Sequence, residues 1–318
     1  MVSKITFGAT ATRKEIVIKK ANSIHIEKSW KYLTDTAAIV LPKNTSFFNK
    51  HKIREVFKTG DPVKIELGYN GVFVKEFEGY VTKVSADIPI VIKCEDEMYI
   101  LKKIPVNLSI EKATLEELLN KMLPGYAIDP LEVEIGSHRF PKTTVAKVLE
   151  YLKDEYSLYS YIKNKVLVCG KIYADDSDQD IVLLDLEKNV VNNDLNYKNK
   201  EDVLIKITAV STLKTGDKIQ VSVGDENGEE RQLSYYGIEV EAELKKLANE
   251  DLKKYNVDGF TGSITTYGIP FVAHGMKVKL QSNLYPDRSG VYHVDEVIVD
   301  FTDSAEYRRQ IQLGDKAA

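Results

Sequence analysis

The chain has 318 residues, of which 43% are hydrophobic and 29% charged, with a formal net charge of -4. That length supports about two or three domains with buried cores, and that composition excludes a disordered or collagenous chain. The acidic balance argues against a general nucleic-acid binder, because neutralising phosphates needs a basic surface. Lys50, Lys52, Lys58 and Lys64 are soon interleaved with acids and read as a solvated face.

From the N-terminus to about residue 105 the pattern is that of strands. Glu15 to Lys19 and Ile24 to Ile26 alternate apolar with polar, and Ala37 to Leu41 forms an apolar run that stops at Pro42. Gly60-Asp61-Pro62 breaks the chain before Val63 to Leu67, and Asn70-Gly71 predicts a tight hairpin into Val72 to Val74. Phe77 to Val84 and Ile88 to Lys93 continue the meander, so residues 1–105 predict a small β-barrel or sandwich.

The period changes at residue 106. Thr114 and Glu117 make a capping box before a helical stripe of Leu115, Leu118, Leu119 and Met122. Thr144 can cap a second helix carrying Val145, Val148, Leu149 and Leu152, followed by a hairpin across Lys163-Asn164-Lys165. Residues 106–172 therefore predict an α/β module. The polar runs Asp175 to Asp180 and Val190 to Asp202 predict a linker over 173–200. Strands resume over 201–318, around one helix from about Val240 to Tyr255 with Glu241–Lys245 and Glu250–Lys254 spaced for ion pairs. A short internal echo links Gly60 to Ile65 with Gly275 to Leu280, and the Gly79-Tyr80 strand with the Gly290-Val291-Tyr292 strand. The fold expected is α+β and mainly β, with two similar antiparallel β-barrels flanking an α/β module.

Candidate chemistry is sparse. Neither phosphate-loop nor dinucleotide, zincin, nucleophile-elbow or paired CxxC motifs occur. His25, His138, His274 and His293 lie in or beside strand-like runs, where structural histidines are the common case. Glu95-Asp96-Glu97 offers carboxylates, but glycosidase pairs flank a cleft and neighbouring strand residues face opposite ways. Asp176 to Glu187 places acids at positions 1, 3, 5 and 12 of a calcium-loop template, yet Ile181 stands where the turn needs glycine. Cys94 and Cys169 sit in apolar runs and do not suggest a disulfide framework. Trp30, the single tryptophan, could stack on a sugar or base, and Asp35 between Thr34 and Thr36 could be a held carboxylate. The scaffold reading has Trp30 packing against a neighbouring element and the Thr-Asp-Thr cluster shaping a turn. No catalytic, cofactor-binding or metal-binding residue is assigned, and no enzyme activity is expected.

The strings IHIEKSWKYLTDTAAIVLP, GDPVKIELGYNG, FEGYVTKV and KCEDEMYIL resemble the N-terminal barrel of baseplate hub proteins of contractile-tailed phages, including the late control protein D relatives. Gly259 to Gly262, Tyr267 to Pro270, His274 to Val278 and Gly290 to Val294 resemble their second barrel. The resemblance implies a homotrimer whose paired barrels form a pseudo-sixfold ring, adapting a hexameric tail tube to a trimeric spike. It implies tube, spike and other baseplate proteins as partners, DNA or cargo passing through the lumen without specific binding, and the α/β module on the periphery. Type VI secretion spikes and phage-tail-like bacteriocins share this pattern. Some relatives carry a fused lysozyme, peptidase or spike; with the last expected strand here ending near Gly314, wall digestion and piercing are expected of separate partners.

The implied location is the tail baseplate of a virion, after assembly in the bacterial cytoplasm. No stretch approaches the roughly 18 apolar residues that span a bilayer, and no membrane anchor is expected. A glycan-binding barrel is the competing reading, with Tyr69, Tyr80, Tyr235 and Tyr236 as its stacking residues.

Overall fold

The computed structural model describes residues 1–11, 13–42, 56–85, 88–173, 181–213 and 215–317. The N-terminal part contributes β1 (Val2–Phe7), β2 (Ile16–Ile18), β3 (Ser23–Ser29), β4 (Thr36–Val40), β5 (Pro62–Tyr69), β6 (Val72–Val84) and β7 (Val91–Glu95). Next come α1 (Met98–Leu101), β8 (Pro105–Thr114), α2 (Leu115–Met122), β9 (Ile128–Pro130), β10 (Glu134–Thr144), α3 (Val145–Tyr156), β11 (Ser160–Lys163) and β12 (Val166–Cys169). The remainder holds β13 (Val182–Asp185), β14 (Val190–Lys198), β15 (Ile205–Thr212), β16 (Lys218–Gly224), β17 (Glu229–Tyr236), α4 (Glu241–Tyr255), β18 (Gly259–Tyr267), β19 (Lys277–Gln281), β20 (Gly290–Thr302) and β21 (Glu306–Lys316). The fold is α+β and mainly β.

One 13-stranded sheet runs β14-β18-β21-β20-β3-β4-β7-β6-β5-β1-β2, with β19 and then β13 branching from β20. Its two halves repeat. The first is ordered β1-β5-β6-β7-β4-β3 and the second β13-β19-β20-β21-β18-β14, so corresponding strands follow the same order along the chain. The match extends to single bonds. Gly60 donates to the Val81 carbonyl at 2.7 Å and Val81 to that of Asp61 at 2.9 Å, while Gly275 donates to Val294 at 2.8 Å and Val294 to Met276 at 3.0 Å. Both glycines have positive φ, 93° and 81°, a backbone state open to glycine without a Cβ clash. Even the bulge recurs, between Val81↔Cys94 and Lys83↔Lys93 and between Val294↔Leu313 and Glu296↔Gln312. The repeat is imperfect at one rim, where β1 meets β5 antiparallel but β13 meets β19 parallel.

The halves join where β3 pairs antiparallel with β20, from Ser23↔Thr302 to Ser29↔Glu296. A single apolar core underlies both, from Ile5, Ile24 and Ile39 to Val278, Val297 and Ile311. The two β units expected from the sequence are thus present, fused into one sheet.

The α/β module has its own core of Leu115, Leu118, Val145, Leu149 and Leu167. Strands β8 and β10 pair antiparallel, and each runs directly into a helix. Two residues before each helix cap the chain turns left-handed, at Lys112 (φ 49°) and Lys142 (φ 45°). Thr114 completes its capping box with Glu117, but the Thr144 side chain makes no cap bond. The third residue of α3 is Lys147, which cannot return the bond a glutamate would; the Ile104 and Lys102 carbonyls take the first two N–H groups of the helix, those of Val145 and Ala146.

Two differences from the sequence expectation concern the C-terminal part. Residues 173–200, expected to link, carry β13 and β14, both paired within the large sheet. The helix α4 packs not on the second β unit but on a separate sheet, β16-β15-β17, with a core of Ile207, Ala209, Val221, Leu244 and Ala248. This insert lies between β14 and β18, a connection that spans only Trp30 to Asp35 in the first half.

Candidate functional site

Trp30 sits at the seam between the halves. Its indole Nε1 donates to Asp295 Oδ1 at 3.0 Å, and Tyr173 OH donates to the same oxygen at 2.7 Å. Tyr159 meets the indole edge-on at 4.9 Å, and Tyr161 and Val168 pack beside it. Lys31 pairs with Asp295 Oδ2 at 2.8 Å. Trp30 therefore ties the first half, the α/β module and the second half together, as the scaffold reading holds. Asp35 shapes its turn through its own carboxylate, whose Oδ1 accepts the Ser29 N–H at 3.2 Å.

Below this seam lies a cleft of about 420 Å3. One wall is the first half, with Thr6, Lys28, Lys75, Glu76 and Asp96; another is the β11–β12 turn, with Asn164 and Lys165; the third is Phe271 to Met276. The Lys163–Lys165 turn takes its shape from left-handed Asn164 and Lys165 (φ 50° and 65°).

Ionisable groups crowd the cleft floor. Burial pulls the Lys28 ammonium down, opposed by the charges of Asp35 and Glu76. Burial pushes the Asp35 carboxyl up to about 6, opposed by Lys28 and by the Ser29 N–H. Asp96 is raised well above the carboxylate range, first by burial and then by the Asp35 charge. Its Oδ2 accepts the Asp35 N–H at 3.3 Å and its Oδ1 the Met98 N–H at 3.0 Å, so it starts α1. His274 Nε2 stands 4.0 Å from Asp35 Oδ2, and burial, then Lys28 and Lys163, hold its imidazole down to about 4. Fully buried Glu76 accepts Tyr307 OH and the Arg309 guanidinium on Oε1, each at 2.5 Å. Arg309 also donates to the Val272 and Gly268 carbonyls. These charges bind the halves to each other: Glu76 belongs to β6, Tyr307 and Arg309 to β21.

The other sequence candidates are dispersed. Glu95 pairs with Lys102, on the sheet face opposite buried Asp96. Asp176, Asp178 and Asp180 of the calcium template lie outside the described residues, as do Lys50 and Lys52, while Glu187 accepts the Ser282 hydroxyl and the Asn283 N–H. Among the described residues no group of three or more His, Cys, Asp or Glu side chains is placed to hold a metal ion. His138 bonds the Ile135 carbonyl and Tyr156 OH, and His293 stacks on Tyr173 at 4.0 Å. Tyr69 lies against Tyr307, Tyr80 against Tyr99, Tyr235 donates to Asp251 and Tyr236 to the Tyr156 carbonyl. No two of the four share a platform on which a sugar could stack. Cys94 and Cys169 are buried free thiols, and burial pushes them up to about 12 and about 11.

Sequence reasoning missed the sheet's second face. Four strands from each half, β14-β18-β21-β20 and β3-β4-β7-β6, form one layer. Its core side is apolar apart from buried Arg309 and Thr266, and register places polar side chains on the other: Asn192, Asn196, Ser263, Thr265, Gln310 and Gln312. Charges there are mixed, with Asp194, Glu296 and Glu27 among Lys93 and Arg308. At the seam His25 lies between Asp300 (2.7 Å) and Glu27 (3.0 Å). Partial burial lowers its imidazole, but the two carboxylates outweigh that and leave it raised. Among the described residues no helix is long and apolar enough to cross a membrane.

No family model matches the chain, and no curated protein matches it. Solved structures do. The tail protein from Neisseria meningitidis MC58 aligns over 99% of this chain and 96% of its own, with TM-score 0.64 and 15% identity. The 43 kDa tail protein of prophage MuSo2 from Shewanella oneidensis aligns over 98% and 97%, with TM-score 0.63 and 14% identity. The E. coli c3393 protein, a component of the type VI secretion system, aligns over 94% and 74%, with TM-score 0.56 and 9% identity. The chain is similar in fold to these proteins along almost its whole length.

Proposed function

We propose that the protein is a structural subunit of a tail baseplate hub, a homotrimer that adapts a hexameric tail tube to a trimeric spike. The observation that carries the reading is the duplicated sheet. Inside one chain, edge strand β3 of the first half pairs with β20 of the second. Its counterpart β14 ends the sheet with no further strand on its outer edge among the described residues, and β6 is the counterpart of β20. Pairing β14 of one copy with the C-terminal end of β6 in the next, where Lys83 and Val84 are the counterparts of Glu296 and Val297, would repeat the start of the internal junction, and exposed strand edges readily accept such addition. Three copies then give six equivalent β units around an axis, with threefold symmetry where the inserts differ.

In this arrangement the mainly polar layer faces the channel, where amides, hydroxyls and charges of both signs offer passing DNA or protein no strongly basic surface to hold it. The α/β module and the β15–β17 insert lie outside, toward other baseplate components. The fold likeness to tail proteins supports the reading, and the structure's commitments of its tyrosines give a glycan-binding module no comparable support. The protein acts in a virion tail or a related injection machine.

Light scattering after size exclusion, across a concentration series, tests the proposal. The expected mass is three times the 35.9 kDa of one chain, with rings of sixfold outline in electron micrographs. A monomer at every concentration would sink it.

A further inference from the structure

We propose that the cleft beneath the seam binds a small zwitterion of the α-amino acid class, its carboxylate held by Lys28 and its ammonium by Asp35. The site lies within one chain and does not depend on the assembly proposed above.

Lys28 stands where the strand pattern calls for an apolar residue. Ile24, Ile26 and Lys28 share one face of β3; the first two are buried in the core, and the third ends the row with an ammonium that reaches the cleft. Glu76 is turned inward by a bulge: Ile65 pairs with Phe77 and Glu66 with Lys75, which leaves Glu76 as the extra residue. Charges placed so deeply are costly unless they are paired. Yet those on the floor do not close on one another. Among the described residues Lys28 makes no ion pair, Asp35 accepts a hydrogen bond on Oδ1 but none on Oδ2, and Glu76 Oε2 is buried without a partner. The imidazole that faces Asp35 Oδ2 at 4.0 Å, that of His274, is uncharged at neutral pH, because burial, then Lys28 and Lys163, hold it down. Asp35 carries its charge there, and the Asp35 and Glu76 charges favour the Lys28 ammonium against burial.

The other charges of the cleft are already committed. Glu78 pairs with Lys75 at 2.9 Å and with Lys165 at 3.6 Å, Lys64 pairs with Glu66 at 3.2 Å, and Glu76 Oε1 pairs with Arg309. A ligand therefore meets one open cation and one open carboxylate oxygen on the same floor. A simple anion or a simple amine satisfies one and leaves the other unpaired, whereas an α-amino acid carries both charges at short spacing. Phe77, Phe271 and Met276 offer apolar wall to its side chain, and about 420 Å3 suits a ligand of that size.

Isothermal titration calorimetry at neutral pH tests the site with L-leucine, with 4-methylpentanoate, which lacks the ammonium, and with 3-methylbutylamine, which lacks the carboxylate. Leucine should bind saturably and at least about tenfold more tightly than either analogue, and Lys28→Met and Asp35→Asn should each weaken it by at least about tenfold. Hydrogen exchange on the unaltered protein gives a second readout that no folding defect can disturb. Saturating leucine should slow exchange about threefold in peptides covering 28–36 and 271–276 and leave α4 unchanged. Neither heat nor slowed exchange with leucine overturns the site. Equal binding of 4-methylpentanoate, or leucine binding that survives in both variants, overturns the pairing of charges.

Discussion

Asp35 and His274 face each other across the cleft floor with opposite dependence on pH. The folded state holds the Asp35 proton more tightly than the unfolded chain does, so this group adds stability as pH falls from about 6 toward the ordinary carboxylate range. His274 does the reverse: the unfolded imidazole takes a proton near 6.5 and the folded one only near 4, so stability is lost over almost the same window. The two slopes offset each other. Asp35→Asn leaves the histidine alone, and its stability relative to wild type should fall between pH 6.5 and 4. His274→Gln leaves the carboxyl alone, and its relative stability should rise. Each difference is on the order of 1–3 kcal/mol, read from urea unfolding at a series of pH values; slopes of equal sign would contradict the account. None of this was legible in the sequence, because 239 residues separate the pair. Trp30 is similar: the residues around it left a stacking and a scaffold reading open, because its partner Asp295 lies 265 residues away.

At the scale of elements, helix starts were the most legible feature and also show where spacing misleads. Thr114 and Thr144 both directly precede a helix, yet only Thr114 has a glutamate three residues on and only it caps through its side chain. Thr114→Ala should therefore cost about 1 kcal/mol, whereas Thr144→Ala should stay within about 0.5 kcal/mol, measured by thermal or urea unfolding. Equal losses would show that the Thr144 hydroxyl also caps its helix. In α4 the expected Glu250–Lys254 pair gives way to Lys254–Asp251, because Tyr235 OH also fixes Asp251. Strand β14 was read as linker since asparagine disfavours strands. Its pairing with β18 overrides that propensity, and an edge strand with one open face has little apolar pattern to show.

For the whole molecule, the echo around Gly60 and Gly275 announced a duplication, while nothing local announced that both halves share a sheet. That sharing has a measurable effect. With one core beneath both halves, neither opens alone, so hydrogen exchange in peptides covering 23–29 and 296–302 should report the same opening free energy to within about 1 kcal/mol. A much lower value for either peptide would mean that the halves are separate folding units. The β15–β17 insert, with a core of its own, is free of that constraint.

The ladder between β3 and β20 also has a mechanical side. Its paired residues run side by side from Ser23↔Thr302 to Ser29↔Glu296. A pull along the strands strains all of its hydrogen bonds together, whereas a pull across them breaks one after another. A load applied along the strands meets a stiff joint, and the same load applied sideways meets a zipper.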